Sequence, residues 1–141
     1  MSVIPMIQER RTRRSEQTYQ AIEYQLDYVL KLHGLRNFTL SSPEGLVLAN
    51  AGFNEESEAL AAYAPLLAKC TDRGRRDQNV TRLSEVIDLA DEDIQVRSFI
   101  IDGDQYFLGA IGASNTQLEA SIYRALTGIR RIFKQSFRAA A

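Results

Sequence analysis

Asp102-Gly103 sits between two apolar, β-prone runs, and this dipeptide constrains the chain more than any other feature of its 141 residues. Ile94 to Ile101 carries Ile94, Val96, Phe99, Ile100 and Ile101, and Gln105 to Ile111 returns as the next apolar run, ending at Gly112. Asp-Gly accepts the positive φ angles of a two-residue hairpin, so the runs are read as adjacent antiparallel strands. A parallel neighbour would need a crossover of roughly a dozen residues between them. The fold is therefore not a doubly wound one.

Other elements follow from period and punctuation. From Ser15, a plausible N-cap, Tyr19, Ile22, Leu26, Val29, Leu30 and His33 recur at three and four, and Gly34 stops the helix. Tyr24, Tyr28 and Leu32 make a second stripe, so this helix is expected to meet more than one neighbour. Pro43-Glu44-Gly45 then joins two short strands, one with Phe38 and Leu40, the other with Leu46 and Leu48. Asn54 caps a second helix, with Glu55 and Glu56 at its positive end and Ala59, Ala62, Tyr63, Leu66, Leu67 and Cys70 on its apolar face. Pro65 is expected to kink it near Ala61.

Residues 71–79, TDRGRRDQN, read as a polar loop, and Leu83 to Leu89 as a strand, although SEVID also fits a helix. Ser114 or Asn115 caps a last helix reaching about Arg138, with Leu118, Ile122, Ala125, Leu126, Ile129, Phe133 and Phe137 as its core stripe. The expected fold is α/β, in the order α-β-β-α-β-β-β-α: a five-stranded antiparallel sheet flanked by helices on both faces. One domain spans residues 15–141 behind a flexible arm of residues 1–14.

Composition narrows the function. The net charge of −1 argues against a general nucleic-acid binder, although arginines crowd residues 10–14 and the last helix. No apolar run approaches the ~18 residues of a membrane span, and the opening residues are not a secretory signal, so a cytoplasmic protein is expected. The lone Cys70 forms no bridge within the chain and reads as a buried thiol.

Catalytic patterns are lacking. His33 is the single histidine, at a helix end where it favours the dipole. One His and one Cys fall short of a zinc site. Gly103, Gly109 and Gly112 precede no Gly-Lys-Ser/Thr, so no phosphate-binding loop forms, and the two later glycines read as close-packing positions. Asp88, Asp91, Glu92, Asp93, Asp102 and Asp104 do not follow the EF-hand spacing and read as turn residues. Arg73-Gly74-Arg75-Arg76 has two readings, a solvated loop or an arginine source for phosphoryl transfer in trans. No cofactor and no metal are expected, and the chain is not read as an enzyme.

This order, with Ser42-Pro-Glu-Gly-Leu-Val-Leu-Ala49, the Ala/Leu-rich Glu58–Ala68 and Tyr106–Gly112, resembles the roadblock/dynein light chain family in its bacterial, MglB-like form. The resemblance runs from about residue 15 to the end; Leu35–Phe38, Pro65 and residues 71–79 depart from it. It implies a homodimer with sheets joined edge to edge and second helices side by side, acting as a platform, regulator or scaffold for a Ras-like small GTPase. On that plan Leu83 to Leu89, with Leu83 and Val86, is the free edge. Tyr63 and Leu67 either pack on their symmetry mates or face their own sheet, and Glu55, Glu58 and Lys69 form the polar rim. The competing readings are a small-ligand sensor of profilin-like topology and a GTPase-activating protein working through Arg75 or Arg76.

Overall fold

The computed structural model describes residues 3–69, 73–89, 91–113 and 117–140. In chain order the elements are α1 (Val3–His33), β1 (Asn37–Ser41), β2 (Val47–Ala51), α2 (Asn54–Lys69), α3 (Arg73–Ser84), β3 (Glu92–Ile101), β4 (Asp104–Ala113) and α4 (Leu118–Ala140). Ser15 lies within α1 and is not its cap. Cys70, Ser114 and Asn115, three positions given roles from sequence, lie outside the described residues, as does the side chain of Phe137.

Asp102 and Gly103 both take positive φ, 50° and 83°, as a primed two-residue turn requires. The turn sets β3 against β4 in unbroken register from Glu92↔Ala113 to Ile101↔Asp104. β1 lies antiparallel on the other side of β4, and β2 on β1, giving the order β2-β1-β4-β3.

Among the described residues the sheet has four strands, not the five expected from sequence. The missing one is Leu83–Leu89. Val80, Leu83 and Ile87, spaced at three and four, turn toward one apolar cluster, whereas Val86 is exposed. That is a helical period, and Ile87 N–H still donates to Leu83 O one turn beyond α3. Most of the supposed polar loop is also α3. Apart from Gly74 its described residues tolerate a helix, and α2 offers an apolar flank on which the new helix packs.

Two cores separate the layers. On one face Ile22, Leu26 and Val29 of α1 and Ile122, Ala125 and Ile129 of α4 close over Phe38, Leu40, Phe99, Leu108 and Ala110. On the other, Leu60 and Leu67 of α2, Leu83 of α3 and the following Ile87 and Leu89 cover Ile94 and Ile111. At Gly109 α2 comes close to the sheet; a Cβ there would stand 3.0 Å from Leu60.

Strand alternation sends Phe38 and Leu40 into the first core and turns Asn37, Thr39 and Ser41 toward α2, where all three are buried. Buried polar groups need partners. Asn37 Nδ2 donates to Ser57 Oγ at 3.0 Å, Ser57 Oγ donates to Asn37 Oδ1 at 3.2 Å, and Thr39 Oγ1 donates to the same oxygen at 2.6 Å. Asn50 Nδ2 joins through Ser57 Oγ at 3.1 Å. The network fixes the start of α2 over β1. Pro65 lies inside α2 without ending it.

Candidate interaction surface

The sheet ends on β3, and its hydrogen-bonding pattern shows which backbone groups face outward. Ile101 and Asp104 close the two-residue turn, so they exchange bonds as a pair, and odd-numbered residues of β3 point their N–H and C=O at β4. Ile94, Val96, Ser98 and Ile100 therefore point theirs away from the sheet. Arg76 of α3 supports this assignment, since its Nη2 donates to Ile94 O at 2.7 Å. The same guanidinium lies 3.7 Å from Asp93 Oδ1. One outward carbonyl of the edge is thus capped from within the chain, at the end nearest α3.

The side chains of this row change along the strand. Ile94 is buried and Val96 half-buried, then Ser98 is exposed and Ile100 is 66% exposed. α2 and α3 cover the first half of the row and leave the second half bare. β3 is ten residues long with no bulge, so what remains is a flat, extended template for another strand.

Beside this edge lies the outer face of α2. Its buried residues, Ser57, Leu60, Ala61, Ala64 and Leu67, form the inner stripe. Glu55, Glu58, Ala62, Leu66 and Lys69 are exposed and form the outer one. Ala62 stands midway between Glu55 and Lys69, with acid at one end and base at the other.

The structure places the sequence-derived interface residues unequally. Glu55, Glu58 and Lys69 come together on the outer face of α2. Leu67 is buried and half-buried Tyr63 packs on the same cluster, so both turn toward their own sheet, the second of their two readings. Leu83 is fully buried in α3 and cannot serve as an edge residue; Val86 is 63% exposed, but in a turn after α3, not in a strand. The open edge is β3, which the sequence order would place inside the sheet if 83–89 were a strand outside it. Once that segment is removed from the sheet, the long apolar run before Asp102 becomes the margin.

Arg36, also missed, ties the elements around the site. Its Nε donates to Glu56 Oε2 at 2.8 Å and its Nη1 to Glu92 Oε1 at 3.0 Å; it also bonds Asp88 O. The hydrogen bond that Arg36 donates to Glu56 raises the guanidinium pKa further, so Arg36 stays charged at any physiological pH. It joins the start of α2, the segment before β3 and the first residue of β3. Arg76 has a comparable structural role, and Arg75 is exposed on α3. Among the described residues no group of three His, Cys, Asp or Glu side chains could hold a metal ion. No helix among them is long and apolar enough to cross a membrane.

A four-stranded antiparallel sheet between two helix pairs, open at β3, defines a roadblock-like α/β fold. A solved structure that the chain resembles is Myxococcus xanthus MglB, with a TM-score of 0.54 and 15% identity over 84% of this chain and 91% of that one. At that identity the likeness speaks for the fold. No family model matches the chain, and no curated protein matches it.

Proposed function

We propose that the chain is a non-catalytic homodimeric platform that regulates or scaffolds a Ras-like small GTPase. The observation that carries the reading is the bare outer half of β3 running beside the outer stripe of α2. Two copies related by a two-fold axis would extend the sheet through Val96, Ser98 and Ile100 and cover Ile100. The same axis sets two α2 helices antiparallel. Glu55 then meets Lys69 of the second copy about Ala62, whose small side chain admits close approach. The sequence resemblance to the roadblock family supports this class of partner, and a joined α2 pair would offer it a broad surface.

Ser98→Pro tests the dimer. A proline whose missing N–H faces outward is tolerated on a free edge and blocks pairing. Light scattering is expected to show a dimer for the natural chain and a folded monomer for the variant; a natural chain that is monomeric at micromolar concentration overturns the reading. Pull-down with GDP- and GTP-loaded Ras-like GTPases tests the partner, and failure with both forms of every one removes it.

Direct activation through Arg75 or Arg76 is less well supported. Arg76 already bonds Ile94 O, and reaching into a partner's active site would break that bond. Arg75→Ala is expected to leave GTP hydrolysis by the partner unchanged.

A further inference from the structure

α1 carries two apolar rows, and the fold uses one. Ile22, Leu26 and Val29 are fully buried, whereas Tyr24, Tyr28 and Leu32, spaced at four, are 70%, 60% and 50% exposed. On α4, Tyr123 is 69% exposed and is followed by Arg124 and, two turns on, Arg131. A groove of about 640 Å³ runs between the helices, walled by Tyr28 on one side and by Tyr123, Arg124 and Arg131 on the other. Two exposed tyrosines facing each other across one groove are an interface composition, since they offer large contact area at little conformational cost.

Its charge is one-sided. Among the described residues no carboxylate lines the groove and no acidic side chain pairs with Arg124 or Arg131. Asp27, one residue before Tyr28, is held by Lys31 at 2.8 Å. At the far end His33 lines the groove with its Nε2 buried and without a hydrogen-bond partner among the described residues. Polar atoms left so are rare in a finished surface.

We propose that the α1/α4 groove is the docking site for an acidic amphipathic helix of a partner protein. The two arginines stand seven residues apart on one helix, about 10 Å at 1.5 Å per residue. That spacing matches two carboxylates seven residues apart on an opposing helix, where a single phosphate would call for arginines converging from nearby positions. Tyr28 and Tyr123, on opposite walls of the groove, take the apolar anchors of the incoming helix, which lies on the pair as a third member of the layer. The groove is on the opposite side of the sheet from α2, so pairing through β3 leaves it open in both copies.

The test uses the full chain and a random-peptide display library, followed by fluorescence anisotropy with the selected peptides. Enriched peptides are expected to be helical, with carboxylates about two turns apart beside apolar residues at three and four. Arg124→Glu with Arg131→Glu is expected to weaken them at least tenfold, and Tyr28→Ala with Tyr123→Ala similarly; these exposed positions leave the melting temperature unchanged. Neutral or basic enriched peptides, no enrichment, or binding indifferent to the arginine pair would each overturn the proposal. So would a dimer that persists in Ser98→Pro and is lost in Arg124→Glu/Arg131→Glu, because a second copy would then own the face.

Discussion

The two margins of the sheet solve the same problem in opposite ways. β2 is five residues long, its register against β1 shifts between Leu40 and Ser41, and α1 packs along it. β3 is twice as long, unbulged and bare over its second half. Short length, an irregular register and a covering helix are the usual devices that stop a strand from recruiting another. Their presence along the whole of one margin, against cover over only the first half of the other, leaves the second half of β3 available. Even at β3 the exposure is graded, since Arg76 caps the carbonyl of Ile94 and nothing comparable caps Ser98 or Ile100 among the described residues.

Breaking the blunted margin should have the largest effect. Gly52, directly after β2, has a φ of 108°, and a Cβ there would lie 2.8 Å from Arg36 O and 2.9 Å from Asn37 Nδ2. Gly52→Ala is expected to cost about 3 kcal/mol or more, combining the strain of that φ with overpacking of backbone. Urea denaturation measures it, and a loss below ~1 kcal/mol would mean that the β1–β2 junction yields easily.

The next effect is on the open margin. Ile100→Lys places a charge on the bare half of β3, as natural free edges do, and is expected to weaken self-association more than tenfold without lowering monomer stability. Sedimentation equilibrium gives both species. An unchanged association constant would say that Ile100 is not at the contact.

A smaller change separates the capped from the uncapped half. Arg76→Ala removes the bond to Ile94 O; because the side chain is 39% exposed, a cost of about 1 kcal/mol is expected. Hydrogen exchange is expected to quicken in α3 and at the start of β3 and to stay unaltered near the Asp102-Gly103 turn. Uniform quickening along β3 would contradict a local cap.

The smallest effect is a pH dependence behind β3. Tyr106 stacks on Phe99 at 5.6 Å, and burial pushes its phenol well above 10.0, with Tyr19 raised likewise by burial. A phenol that resists ionising in the folded state contributes stability that is fully present below pH 10 and is lost as pH climbs past the unfolded value toward the folded one. Tyr106→Phe is therefore expected to flatten the alkaline limb of the stability curve and at pH 7 to cost only the hydroxyl's hydrogen bond to Tyr19, about 0.5 kcal/mol. Parallel limbs for both proteins would show that this phenol is not responsible.

Elements whose identity rests on local chemistry were legible from residues alone. The Asp102-Gly103 hairpin, the Pro43-Glu44-Gly45 turn and the apolar row of α4 all follow from periods and turn residues a few positions apart; Asn54 marks the start of α2 but is its first helical residue and not its cap, because Phe53 O accepts the first helical bond from Ser57 N–H and Asn54 Oδ1 accepts from Asn50 Nδ2. The acidic and basic ends of the outer α2 stripe were legible for the same reason, because a helix projects every third or fourth residue to one side.

What remained belongs to contacts between distant segments. Leu83, Val86, Ile87 and Leu89 satisfy a strand or a helix end about equally, and the apolar flank of α2 decided for the helix. That decision removed a strand, made β3 the margin, turned Leu67 inward and brought Arg76 to Ile94. Arg36 became a tie only because Glu56 and Glu92, 20 and 56 residues away, fold onto it. Local propensities here differ by tenths of a kcal/mol per residue, whereas burying one leucine contributes about 2. Wherever the first were nearly balanced, the second chose the structure.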